Sequence, residues 1–216
     1  MASIISHAVA GAALSIAFAP GGVPARYPGS RKHSLWMWKN PPMFDRDVVP
    51  EGSGLRSYRL VRGAPLAVAI ATAVLPDADS LLFHFRYYAA LGHRGFFHSP
   101  FLGLIVSFLL MLLFFRDEAL FSGRWFRYLF IFFLVWTSHG LLDALTNGGR
   151  GVAFFSPFFS KRYFLPWTPI QVSPMSVRSF FNSRGWSVLK SEFVWIWLPG
   201  VALIFLSRIF RPWTKH

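Results

Sequence analysis

Tyr128-Leu129-Phe130-Ile131-Phe132-Phe133-Leu134-Val135-Trp136-Thr137-Ser138-His139-Gly140-Leu141-Leu142-Asp143-Ala144-Leu145 is apolar almost throughout, and its last turns carry a histidine and an aspartate. A bilayer's hydrocarbon core takes a helix of about 20 residues, range roughly 17–25, and this stretch is long enough. Four residues apart, His139 and Asp143 leave one face of a helix about one turn from each other. That is the spacing at which two side chains of one helix can grip one ion. An ionisable group inside such a segment is costly unless it is paired or bound to metal. The stretch therefore predicts a membrane helix with a ligand pair at one end.

Four more apolar segments flank it, at residues 4–20, 64–75, 101–115 and 193–210. The last is long enough to span, the third reaches that length with Phe96 and Phe97, and the first two are short. Short segments can be tilted, interfacial or buried within a bundle. Of 216 residues only 14% are charged, against about a quarter in soluble domains, while 54% are hydrophobic and 19% aromatic. This composition excludes a disordered chain, and the lack of cysteine excludes a disulfide scaffold or a cysteine zinc finger. The expected fold is all-α, a multi-pass transmembrane bundle of four to five helices in one domain, residues 1–216. Two long irregular loops interrupt it: a basic one over 21–63, and an aromatic, proline-rich one over 147–192 that suits the membrane interface. Ala17-Phe18-Ala19 looks like a signal-peptide cleavage site. No Lys or Arg precedes the apolar run, however, and His7 interrupts it, so a retained helix is expected. Trp36, Trp38, Trp125, Trp167, Trp186 and Trp213 suit an interface belt.

The net charge is +13. No nucleic-acid motif accompanies it, so it reads as basic loops held at an anionic membrane face. If the five segments cross alternately, 14 of the 22 Lys and Arg fall on the side away from the N-terminus and 8 on the N-terminal side. The positive-inside rule then puts the N-terminus outside the cytoplasm.

Alternation has a second consequence. Ser6-His7 starts the first segment, Leu75-Pro76-Asp77-Ala78-Asp79-Ser80 ends the second, His93-Arg94-Gly95-Phe96-Phe97-His98-Ser99 precedes the third, and His139 and Asp143 end the fourth. All lie on one side, so four His and three Asp meet at one end of the bundle, the non-cytoplasmic end. Taken singly, each piece has a plainer reading: a solvated turn for Asp77 and Asp79, an interfacial position for His93 and His98, an idle chain end for His7. Pro76 should end its helix. Ser99-Pro100 reads as a cap with proline at the first helical position, and Gly95 as the tight turn between the two histidines. His33 and His216 read as solvated and His84 as a supporting residue. Ser138 and Asn147 are candidates for orienting the ligands.

Seven nitrogen and oxygen ligands exceed one tetrahedral ion, so two or more metals, or one metal with catalytic acids, is the natural count. Imidazole with carboxylate and no thiolate suits zinc first, then manganese or iron. Such ions activate water and stabilise in-line displacement at phosphorus. Asp79 is the candidate general base. Arg94 either clamps a phosphate oxygen or forms a salt bridge with Asp77 or Asp79.

Together with Ser138-His139-x-x-x-Asp143-x-x-Thr146 and Pro157-Phe158-x-x-Lys161-Arg162-Tyr163, these motifs resemble the YdjM-type inner-membrane metal-dependent hydrolases over residues 7–174. That family is also described as LexA-binding and membrane-associated, with distant similarity to zinc-dependent phospholipase C and single-strand nucleases. The resemblance implies a bacterial inner-membrane enzyme. Its metal ligands would be His7, Asp77 or Asp79, His93, His98, His139 and Asp143. The clustered ligands at the membrane edge make a small-molecule or lipid phosphoester the expected substrate. The basic insertion at 26–62 stands outside the family pattern. Two other classes stay open: a metal or ion transporter, and a regulatory scaffold that binds anionic lipid or a partner through the basic loop.

Overall fold

The computed structural model describes residues 2–18, 55–82, 92–116, 118–174 and 180–210, with backbone alone for 55–64 and 80–82. His33, His84, His216, Trp36, Trp38, Trp213 and most of the basic loop lie outside these residues. Met1–Ala19 and Pro65–His216 form one compact unit, which carries the site; Pro20–Ala64 is a unit apart.

Five helices make up the described fold: α1 (Ile4–Phe18), α2 (Leu55–Val74), α3 (Pro100–Phe114), α4 (Gly123–Ala144) and α5 (Ser183–Ile209). α4 and α5 are long and apolar enough to cross a membrane, at 22 and 27 residues, whereas α1 and α3 are shorter apolar helices. Among the described residues there is no strand, only two isolated bridges, Thr146 with Ile170 and Val152 with Tyr163.

Local chemistry sets several boundaries. Ser99 Oγ accepts the Leu102 N–H at 3.3 Å and Pro100 opens α3, as the sequence suggested. Ser122 Oγ caps α4 by accepting from Trp125 N at 3.2 Å. At α5, Asn182 Oδ1 accepts from the Arg184 and Gly185 amides.

Two helices start earlier than hydropathy indicated. α2 begins at Leu55 and runs through Pro65, inside the stretch read as loop. α5 begins at Ser183, because Asn182 caps an amphipathic first part, Ser183–Glu192, whose polar residues hide it from a hydropathy reading. Its apolar part opens with a π-helical turn, Phe193–Trp197. α2 ends at Val74, just before Pro76 as the sequence suggested, and the chain passes directly into a 3₁₀ helix, Leu75–Leu82.

α1 packs against α4 and α5, and α3 against α4. Glycine permits the closest crossings. A Cβ on Gly11 would stand 2.5 Å from Ala73 Cβ, and one on Gly103 2.5 Å from Trp136 Cδ1. The core gathers Ala69, Ala73, Met111, Trp125, Ile131, Phe132 and Val135. Trp125 is thus a buried core residue, not an interface anchor, whereas Trp167 and Trp186 are exposed. After α4 the chain folds across the end of the bundle. Ala153 N–H bonds to Arg94 O at 3.0 Å, Leu165 N–H to Ala144 O at 3.0 Å, and Ile170 packs with Ala2 and Ile196. Phe155, Phe158, Phe159 and Phe164 stay exposed on this aromatic connection.

Candidate metal centre

The four ligand-bearing stretches do meet. His7 enters from the second turn of α1, Asp77 and Asp79 from the 3₁₀ helix after α2, and His98 from the turn before α3. His139 and Asp143 enter from the end of α4. His7, Asp77, Asp79, His98, His139 and Asp143 are all buried, and His93 is half-buried.

At the centre, His98 Nε2 and His139 Nε2 are 3.1 Å apart. Asp77 Oδ1 lies 3.3 Å from His139 Nε2 and 3.7 Å from His98 Nε2, and Asp143 Oδ2 lies 3.5 Å from His98 Nε2. Nitrogens about 2.0–2.1 Å from one ion stand roughly 3.0–3.4 Å from each other; the 3.1 and 3.3 Å separations fall in that range, and the 3.5 and 3.7 Å ones lie just beyond it. The orientation agrees. His139 Nδ1 is 2.7 Å from Ala73 O, a bond only an N–H can make, which leaves Nε2 as a lone pair facing inward. His98 Nδ1 faces Asp79 Oδ2 at 3.2 Å, which turns its Nε2 to the same point. A histidine ligand commonly gives its other nitrogen to a carbonyl or carboxylate in this way. Both Asp77 oxygens and both His7 nitrogens are buried without a hydrogen-bond partner. Buried polar atoms in native folds are nearly always satisfied, so this donor set fits a cation. Asp77, His98, His139 and Asp143 form a buried group able to hold a metal ion.

His7 stacks on His139 with ring centroids 3.6 Å apart and has Nε2 3.5 Å from Asp143 Oδ1, at the flank of that group. Asp79, His93 and His98 make a second cluster, but Asp79 Oδ1 and His93 Nδ1 are 2.6 Å apart, a hydrogen bond rather than two ligands of one ion. Its Oδ2 also accepts the Arg94 amide at 3.1 Å.

The Arg94 guanidinium forms its salt bridge with Asp143, not with Asp77 or Asp79. Its Nε lies 3.0 Å from Asp143 Oδ2, its Nη1 donates to Gly148 O at 2.9 Å and its Nη2 to Thr146 Oγ1 at 2.9 Å. Buried at 2% exposure, it is a fixed cation behind Asp143 rather than a partner of Asp77 or Asp79. The left-handed backbone of the turn also falls on Arg94 (φ 62°), not on Gly95. The bonds on its amide and guanidinium hold that conformation. Ser138 Oγ donates to Val135 O, and Asn147 Oδ1 accepts from Val172 N, so both are spent on backbone.

Glu192 was missed. Fully buried, it accepts from Ser3 N, from Ser3 Oγ at 2.6 Å and from Ser6 Oγ at 2.8 Å, tying the start of α1 to α5. Its position just before the fifth apolar segment, on the ligand side by alternation, was the signal that could have found it.

Residues 1–214 match the family described as YdjM inner membrane protein. The chain belongs to that family. It is also 39% identical over 175 residues to Inner membrane protein YbcI of Escherichia coli (strain K12), covering 76% of this chain and 95% of that protein. No solved structure matches it. Family and relative thus make it an inner-membrane protein, with a buried His/Asp cluster that can hold metal.

Electrostatics add a pH prediction for protein stripped of metal. Burial works to raise Asp77 and Asp79, but the neighbouring imidazoles, His139 and His98 beside the first and His93 and His98 beside the second, hold both below the ordinary 3.8. Burial likewise works to lower His98, yet Asp143, Asp77 and Asp79 push it from 6.5 up to about 10. The carboxylates' contribution to stability is present above pH 3.8 and lost as pH falls; that of His98 is complete below pH 6.5 and lost as pH rises toward 10. Chelated protein should therefore melt highest at about pH 4–6.5. A melting temperature flat from pH 6.5 to 10 would contradict the arrangement.

Proposed function

We propose that this protein is a metal-dependent hydrolase of the inner membrane, cleaving a phosphoester presented at the bilayer surface. The observation that supports it most is the buried convergence of two inward-facing Nε2 atoms with the carboxylates of Asp77 and Asp143. In this reading His98, His139, Asp77 and Asp143 hold the ion, zinc by donor type, with His7 completing the shell or starting a second site beside Asp143. Bound there, the ion supplies Lewis acidity to water and to the phosphoryl oxygens. Arg94 pairs with Asp143 and holds it in place. Both oxygens of Asp79 are engaged with His93, His98 and the Arg94 amide, so the general-base role passes from Asp79 to His93. Its side chain is the most exposed of the four imidazoles at 15%, and Asp79 orients it through Nδ1. A transporter fits less well, because transport sites lie near the bilayer midplane and this cluster sits at the helix ends.

The test is elemental analysis of the purified protein, with phosphodiester and phosphomonoester probes run on the native chain and His98→Ala. The reading expects at least one metal per chain and hydrolysis of one probe class, both lost in the variant. A metal-free native protein that cleaves neither class would refute it.

The same reading puts the site on the non-cytoplasmic side. A chain without cysteine gives a clean topology assay. In intact cells Lys161→Cys should react with an impermeant maleimide and Arg124→Cys should not; the reverse pattern would invert the orientation.

A further inference from the structure

α5 carries a buried group that the proposed chemistry leaves unused. Glu192 ends the amphipathic first part of the helix, and the π-helical turn Phe193–Trp197 follows it at once. The Leu198 N–H closes that turn on Phe193 O, five residues back. In a regular α-helix, side chains five residues apart point about 140° away from each other. The wider i→i+5 turn brings them back toward one face, and here that face meets the start of α1. Glu192 Oε2 accepts from Ser6 Oγ at 2.8 Å, and Ser6 Oγ in turn accepts from Trp197 Nε1 at 2.8 Å. One serine of α1 is thus held from both ends of the π turn.

The segment entering α1 is fastened from two helices. Ala2 N–H donates to Asp143 Oδ1 at 2.9 Å, and the next amide, Ser3 N–H, donates to Glu192 Oε1. Ser3 Oγ gives its hydrogen to Glu192 Oε2 at 2.6 Å. Ala2, Ser3, Ser6 and Glu192 are all buried. Ser6 adjoins His7, whose ring stacks on His139 and whose Nε2 faces Asp143 Oδ1. Burying a carboxylate is costlier than packing apolar side chains in the same place, so helix packing alone does not account for Glu192. A fully satisfied buried network does something apolar packing does not: it rigidifies and specifies one arrangement.

We propose that Glu192 and Trp197 are positioning residues of the metal centre. Through Ser3 and Ser6 they fix the start of α1, so that the Ala2 amide and the His7 ring orient Asp143 and His139. This rests on the metal-centre reading above. Both residues act through α1 rather than on the ion, and the π turn lets side chains five residues apart share the task.

The experiment uses the full chain in detergent, stripped of metal and titrated with cobalt(II), whose visible absorption reports ligand number and geometry. Glu192→Ala should weaken cobalt binding about tenfold, the low end for a group supporting a metal's ligands, and change the spectrum of the ion that still binds. Glu192→Gln keeps an acceptor for the Ser3 amide and should return to within about threefold of native, since neutral hydrogen bonds are the weaker ones. Trp197→Phe removes one bond to Ser6 and should weaken binding about threefold. The control is Trp125→Leu, buried in the core about 27 Å along α4 from Asp143. It should lower the melting temperature and leave cobalt affinity and spectrum native. If Glu192→Ala melts lower but binds cobalt with native affinity and spectrum, the network is only a strut between helices and the proposal fails. Trp197→Phe, the mildest change, carries the test if Glu192→Ala does not fold: a native titration in it would equally overturn the proposal. So would an equal loss of cobalt in Trp125→Leu, for then any loosening of the bundle would serve. A native chain that takes up no cobalt would instead overturn the metal-centre reading itself.

Discussion

Replacing Asp143 with asparagine is expected to release the metal and lower the melting temperature together. Oδ1 of Asp143 accepts the Ala2 amide at 2.9 Å and lies 3.5 Å from His7, while Oδ2 lies 3.0 Å from Arg94 Nε and 3.5 Å from His98 Nε2. One carboxylate thus serves the candidate metal site, the end of α1 and a buried guanidinium. An amide keeps the shape but not the charge. Arg94, only 2% exposed, would be left without its counter-ion, and breaking a buried pair from one side costs about 3–5 kcal/mol. Loss of a supporting group around a metal weakens binding about 10–100-fold, and loss of a charged ligand should exceed the upper figure. Asp143→Glu separates the two roles, because it keeps the charge beside Arg94 and displaces the ligand oxygen. It should recover much of the lost melting temperature and little of the metal. Elemental analysis and thermal unfolding on both variants decide the matter. If Asp143→Asn keeps its metal and melts like the native chain, the centre is not built on this carboxylate.

Much of this was legible because hydropathy and alternation are long-range signals. Apolar segments fix how often the chain crosses, and crossing parity fixes which ends lie together, so His7, Asp77, His98, His139 and Asp143 could be grouped without any contact map. What stayed hidden depends on angles and short distances. Nothing in the order Asp77-Ala78-Asp79 says that the first carboxylate faces the ion and the second turns back to His93. Arg94 could be placed near the ligands, but not aimed: its target, Asp143, lies 49 residues away, and its other partners, Thr146 and Gly148, sit on a connection without periodicity. Glu192 was obscured by the amphipathic start of α5, where Lys190 and Ser191 dilute the apolar signal. The early start of α5 was hidden for the same reason, since its cap at Asn182 is a local event inside a stretch rich in Ser, Phe and Arg.

Gly140→Ala should damage the centre while leaving the fold standing, and the two effects have opposite physical signs. In a helix interior alanine is favoured over glycine by about 1 kcal/mol, so α4 alone would gain. But a Cβ at residue 140 would lie 2.9 Å from His98 O, with Phe154 and Val152 beyond at 3.4 and 3.6 Å. The near neighbour is backbone, which cannot swing aside, so the turn carrying His98 must back away from α4 by a few tenths of an ångström. That separation is the one the centre depends on, since it sets the 3.1 Å between His98 Nε2 and His139 Nε2. A displacement of about 1 Å at a reacting site can cost about 100-fold; the smaller shift here should cost about tenfold in metal affinity or turnover. Gly123→Ala is the control, for it adds the same methyl to the first turn of α4, where a Cβ meets nothing within 4 Å. The expected pattern is a melting temperature near native in both variants, with metal titration weakened only in Gly140→Ala. Equal titrations would mean that His98 does not need the close approach of its backbone to α4, and the shared site of His98 and His139 would lose its geometric basis.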